Sequence, residues 1–336
     1  TAFLPANSFA VASSVEGIND TGGVVGELEF SDGQRAAMYL DIVTNTYSAI
    51  ANDVRPRDIN NAQQIVGSEY FVGGPLGVFL ESPFDSSPTV LPPLPGDDFS
   101  FATGINDHGV VIGVSIGEFG DAGVVWSVTV DSEGAVIVDG PVELPSVDPD
   151  YPVAPSANDI NEVVVGDDGT ATAQVVGESA GQPVVWTVAI DSAGLLTGPA
   201  VDRVVDGVDP NNAEGRGINN FGDTCGRSGN DPFVSFAGGT TLILPVPRRT
   251  LTSSGLDLND ALEVVGYVET GRLRPGTRDA TLWRNGNLIA LSTQIASDSG
   301  WDQLSVADSI NQVGMISGVG VKNGQDLGFV MVPSSP

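Results

Sequence analysis

The chain has 336 residues, 41% of them hydrophobic, and its 43 glycines and 22 prolines sit among abundant Val and Ile, a composition that excludes disorder and points to short strands joined by many turns. Lys+Arg 13 against Asp+Glu 43 leaves a formal charge of −30, which excludes nucleic acid and anionic membranes as partners, and no apolar run reaches the length of a membrane span. One cysteine, Cys225, permits no intrachain disulfide, and one histidine, His108, permits no multi-histidine zinc site.

The chain opens at Thr1 rather than Met and carries no basic or long apolar leader, which reads as a secreted chain after signal removal, hence extracellular or at the cell surface. Residues 1–10 hold a short candidate strand, Ala2-Phe3-Leu4-Pro5. A motif follows, GINDTGGVVG around Asn19, and it returns as DINNAQQIVG (Asn60), GINDHGVVIG (Asn106), DINEVVVG (Asn161), GINNFGDTCG (Asn219), DLNDALEVVG (Asn259) and SINQVGMISG (Asn311). Each copy closes on a glycine: Gly26, Gly67, Gly113, Gly166, Gly226, Gly266 and Gly318. The glycine falls seven residues past the asparagine in six copies and five past it in the fourth.

Within a copy the pattern is all β. Ile-Asn ends a first strand, a tight turn follows with glycine at Gly22, Gly109, Gly222 and Gly314, and Val-Val-Gly begins a second strand. Third strands are RAAMYL, LGVFL, GVVWSV, PVVWTV, PFVSF, DATLW and LGFVMV; fourth strands carry Leu-Pro text such as TVLPPLP, VELP and TLILPVP. Four antiparallel strands repeating every 40 to 58 residues make one propeller blade, so residues 1–336 are expected to form a single seven-bladed β-propeller. The seventh copy lacks a fourth strand, and Ala2, Phe3, Leu4 and Pro5 are expected to supply it, either within the chain or in a neighbouring copy, because backbone pairing is the same in both cases. Exchange between copies would build a head-to-tail homopolymer. The longer copies carry inserted loops at 148–152, 167–169, 207–212 and 272–278.

The Ile-Asn-x-x-Gly-x-Val-Val-Gly strings resemble the HAF repeat family of probable extracellular repeats in bacteria and archaea, over nearly the whole chain. The His-Ala-Phe tripeptide that names the family is replaced here by Ala-Ala-Met, Gly-Val-Phe or Ala-Thr-Leu in the third strand. The resemblance implies a secreted, propeller-like protein and no shared catalytic residues.

The candidate chemistry is sparse. The seven asparagines stand where a ring of amides can line a central channel, although an asparagine before a turn also bonds backbone two residues on. Two positions earlier stand Gly17, Asp58, Gly104, Asp159, Gly217, Asp257 and Ser309, so Asp58, Asp159 and Asp257 recur on alternate blades and are the candidate ligands for a hard cation such as Ca²⁺. No EF-hand spacing accompanies them. His108 lies in a turn, and Cys225 takes a position held elsewhere by Val, Ile or Ser. Trp126, Trp186 and Trp283 share one third-strand position and read as packing between blades, which leaves Trp301 as the candidate ligand contact. The primary functional expectation is a non-catalytic extracellular structural or interaction protein with no catalytic residue. The alternatives are a module binding carbohydrate or another surface polymer, and a carboxylate-dependent glycoside hydrolase or lyase.

Overall fold

The computed structural model describes every residue except 6–7, 51–53, 72–73, 86, 119, 152, 167–169, 193, 272–276 and 334–336. The described residues form 28 strands and one 3₁₀ turn, Leu291–Gln294. The strands make seven antiparallel sheets, each assembled in chain order and arranged as blades around an axis. Their innermost strands are Ala10–Ile18, Val54–Ile59, Phe99–Ile105, Ser156–Ile160, Ala213–Ile218, Thr250–Leu258 and Trp301–Ile310, which define blades 1 to 7.

Each part of the repeat motif has a structural cause. The Ile, or Leu in blade 6, ends the inner strand. Each inner strand contains a bulge opposite the closing glycine of the second strand, where the register skips a residue. The bulge drives an inner-strand carbonyl into the space a side chain would fill. A methyl group on Gly26 would lie 2.1 Å from the Ser14 carbonyl oxygen, and one on Gly113 2.0 Å from that of Phe101.

The same geometry corrects the fourth copy. Its structural counterpart of the closing glycine is Gly177, paired with Ala157, where a methyl group would lie 1.8 Å from the Ser156 carbonyl oxygen, rather than Gly166. The short spacing to Gly166 reflects an insertion: Val164–Val165 pairs with Thr172 and Ala171 as a small added hairpin, and the true Val175-Val176-Gly177 follows. The loop at 167–169 lies outside the described residues, as does most of the one at 272–278, where Arg278 already begins a strand.

Blade 7 is completed by the N-terminus, within this chain. Phe3 N–H donates to the Gly328 carbonyl oxygen (2.7 Å), Val330 N–H to that of Thr1 (2.9 Å), and Ala2 faces Phe329. The pairing covers Thr1–Phe3 rather than Ala2 to Pro5. Leu4 N–H turns back to the Ala2 carbonyl oxygen and the Tyr47 hydroxyl, which takes Leu4 and Pro5 off the ladder. Phe3 thereby occupies the position that Ile50, Leu91, Leu144, Val205 and Leu244 hold in other blades, each paired to the third strand of its blade.

The core lies between blades rather than within them. Seven apolar clusters occupy the seven joints, from Phe3, Val15, Leu40 and Val330 between blades 7 and 1 to Val265, Leu304 and Phe329 between blades 6 and 7. Trp126, Trp186 and Trp283 are buried in three of them. Each indole N–H donates across the joint, to the carbonyl oxygen of Pro92, Pro145 or Pro245 at 3.0, 2.9 and 2.8 Å, which gives the Leu-Pro text after the fourth strands its purpose.

Candidate functional site

The repeated polar residues converge on the axis. Each motif asparagine is buried and serves two blades at once. Its Oδ1 accepts the N–H four residues on, as Asn19 does from Gly23 (2.7 Å) and Asn161 from Gln174 across the inserted hairpin (2.6 Å). Its Nδ2 donates to the backbone carbonyl oxygen of the next blade's asparagine. These bonds run Asn19 to Asn60 (2.8 Å), Asn60 to Asn106 (3.1 Å), Asn106 to Asn161 (3.0 Å), Asn161 to Asn219 (3.1 Å), Asn219 to Asn259 (3.4 Å), Asn259 to Asn311 (3.3 Å) and Asn311 back to Asn19 (2.8 Å). The amide ring therefore exists, and the turn-fixing role exists with it.

A second ring lies one residue on, and the sequence reading passed over it. Asp20, Asn61, Asp107, Glu162, Asn220, Asp260 and Gln312 are all acids or amides. Each side chain accepts the N–H of its counterpart in the preceding blade, for example Asp20 N–H to Asn61 Oδ1 (2.8 Å) and, closing the ring, Gln312 N–H to Asp20 Oδ1 (2.8 Å). The repeated acid-or-amide character of that position was the available signal.

Asp58, Asp159 and Asp257 are placed one on every second blade, as expected. Each bridges two blades by accepting the N–H of its own following residue on Oδ1 and that of the next blade's equivalent on Oδ2. The pairs are Ile59 and Ile105 (2.8 and 2.9 Å), Ile160 and Ile218 (2.8 and 2.8 Å), and Leu258 and Ile310 (2.7 and 2.8 Å). Ser309 adds a hydroxyl bond to Asp257 (2.9 Å). Glycines make room for them: a methyl group on Gly17 or Gly217 would lie 2.8 Å from the Cα of Asp58 or Asp257. Among the described residues, no group of three His, Cys, Asp or Glu side chains is arranged to hold a metal ion.

Most of these residues line an axial cavity of about 240 Å³ whose wall includes Asp20, Asp58, Asp107, Asp159, Glu162 and Asp257 and, among the described residues, no Lys or Arg. Burial pushes Asp58 up to about 7 and Asp257 up to about 6, against the pull of their backbone N–H partners. Burial, reinforced by the Asp257 charge, also raises Asp159. Glu162 rises to about 7 through burial and the neighbouring Asp107, and Asp308 to about 6 through burial and Glu16.

These shifts fix the sign of the pH dependence. Each folded-state value lies above the ordinary carboxylate value of 3.8 or 4.5, so the folded state holds more protons than the unfolded state in between. The stability these groups contribute is present at about pH 4 and is lost as pH rises through about 6 to 7. Asp41, held down by the Thr44 and Val43 N–H groups, works in the opposite sense only at lower pH. The urea midpoint is therefore expected to fall between about pH 5 and 8 in low salt, and less steeply in about 1 M salt, because these groups line a cavity that ions reach and are screened in part. A midpoint that rises or stays flat over that range contradicts the assignment.

The remaining candidates lie elsewhere. Trp301 starts the inner strand of blade 7, half-buried, with its ring edge-on to Phe329 (5.9 Å) and Lys322 Nζ 5.4 Å from its centroid. It packs against the joint between blades 6 and 7 rather than standing as a free platform. His108 is a half-exposed turn residue 3.9 Å from Glu162, and Cys225 is buried in the joint between blades 5 and 6.

No family model matches the chain, and no curated protein matches it in sequence. Solved structures do match the architecture. A catalytically inactive variant of virginiamycin B lyase from Staphylococcus aureus, with quinupristin bound, aligns at TM-score 0.52 and 10% identity over 99% of this chain and 99% of its own. An acylaminoacyl peptidase from Pyrococcus horikoshii aligns at TM-score 0.54 and 10% identity, over 96% of this chain and 52% of its own. A puromycin hydrolase variant aligns at TM-score 0.53 and 12% identity, over 94% of this chain and 51% of its own. Likeness at these identities is likeness of fold, and it is to the β-propeller.

Proposed function

We propose that this chain is a non-catalytic structural and interaction protein of the cell exterior, of the repeat class that the HAF-like signature marks. In this reading it is a rigid acidic disc that joins copies of itself through its N-terminal strand. The observation that carries the non-catalytic reading is the use made of the axial polar groups. Both rings and all three axial aspartates are engaged in bonds from one blade to the next, so the residues with the strongest look of chemistry serve as joints. Self-association is supported by the closure: the outer strand of blade 7 is held by a three-residue ladder, Thr1–Phe3 on Gly328–Val330, and a neighbouring copy offers the same backbone groups.

Electron microscopy and sedimentation of the full chain and of a chain lacking residues 1–8, over a range of concentrations, test this reading. Filaments or concentration-dependent oligomers are expected from the full chain and none from the shortened one. Single discs at every concentration would overturn the assembly, and turnover of polysaccharide or peptide substrates by the purified protein would overturn the non-catalytic assignment.

A further inference from the structure

Seven equivalent inner-strand N–H groups face the axis, those of Ile18, Ile59, Ile105, Ile160, Ile218, Leu258 and Ile310. Three aspartates that take two each can serve six. Ile18 of blade 1 is the one that receives no carboxylate. An alternating pattern cannot close on an odd number of blades, and the mismatch falls here. Asp58 bridges blades 2 and 3, Asp159 blades 4 and 5, and Asp257 blades 6 and 7, so every blade except blade 1 has an aspartate bridge to one neighbour, while the two amide-and-acid rings join blade 1 to both neighbours as they join the others. No side chain at position 17 can repair this, because its Cβ would meet the Asp58 Cα at 2.8 Å.

The tryptophans repeat the distribution. Trp126, Trp186 and Trp283 fill the joints between blades 2 and 3, 3 and 4, and 5 and 6, each adding an indole bond across the gap. The same position holds Leu40 at the joint of blades 7 and 1 and Leu80 at that of blades 1 and 2. Among the described residues, every joint thus has an aspartate bridge, a tryptophan or both, except the two that flank blade 1. The joint between blades 1 and 2 has instead the ion pairs Arg57–Glu16 (2.8 Å) and Arg55–Glu27 (3.8 Å), whose arginine side chains are 51% and 40% exposed, and such pairs hold weakly. The joint between blades 7 and 1 draws its buried Phe3 from the closing segment itself.

We infer that the ring opens at blade 1, which with the closing strand forms the one continuous segment able to leave while blades 2 to 7 stay joined. Its departure uncovers the Gln325–Met331 edge, the edge that would accept the N-terminal strand of a second copy. This rests on the self-association proposed above for its purpose, but not for its test.

The test is hydrogen exchange with mass spectrometry on dilute, unassembled protein at low urea. Peptides from residues 10–49 and 325–331 are expected to exchange on the order of tenfold faster than those from the inner and second strands of blades 3 to 6, the scale of one lost charge-assisted bond. Uniform protection, or another blade leading, overturns the inference. Trp186→Leu then makes the joint of blades 3 and 4 resemble those around blade 1. Its peptides should exchange faster than in the parent, with blade 1 unchanged and still leading because Asp58 and Asp159 keep blades 3 and 4 tied on their far sides, and an unaltered pattern overturns the inference. If blade 1 opens and no polymer ever forms, the assembly fails and the opening stands.

Discussion

Replacing Phe3 with alanine is expected to destabilise the protein by about 3–5 kcal/mol, the cost of emptying a fully buried phenylalanine site. The side chain is 0% exposed and packs with Ala10, Val15, Val24, Leu40 and Val330, while its backbone N–H holds the Gly328 carbonyl oxygen at 2.7 Å. It fills from the N-terminus the place that Leu91 and Leu144 fill in blades 2 and 3. Removing residues 1–5 should cost more, since it also bares the last strand of blade 7. Urea unfolding followed by tryptophan fluorescence measures both. A loss below about 1 kcal/mol for Phe3→Ala would mean that the N-terminus does not close the ring.

The second large effect separates two glycines eleven residues apart in sequence. Gly177→Ala is expected to cost about 4 kcal/mol or more, because the new methyl would sit 1.8 Å from the Ser156 carbonyl oxygen and the bulge would have to move. Gly166→Ala, at an exposed position in the added hairpin, should change stability by no more than about 0.5 kcal/mol. Thermal or urea unfolding of the two variants decides between the two alignments of the fourth repeat, and equal effects would contradict the one drawn from the structure.

The blade number, the strand order and the vacancy at the tail could all be read from the sequence, because they follow from local patterns that recur. The alternation of Asp58, Asp159 and Asp257 was also visible, as was the packing role of Trp126, Trp186 and Trp283. Their partners were not. Asp58 reaches Ile105, 47 residues away, and Trp126 reaches Pro92, 34 residues back; both contacts depend on how neighbouring blades sit against each other. The fourth copy misled because Val163-Val164-Val165-Gly166 imitates the motif so closely that only the bulge opposite Gly177 tells them apart.

On the function proposed above, the repeated asparagines are joints and not a binding ring. Seven single variants, Asn to Ala at positions 19, 60, 106, 161, 219, 259 and 311, test it by urea unfolding. Each loses a donated bond to the next blade and leaves without its partner the N–H that Oδ1 accepts, so all seven should be destabilised by about 2–4 kcal/mol, with positions 60, 161 and 259, whose N–H is only part-buried, at the low end. A position at which alanine leaves stability within about 0.5 kcal/mol of the parent would contradict the claim.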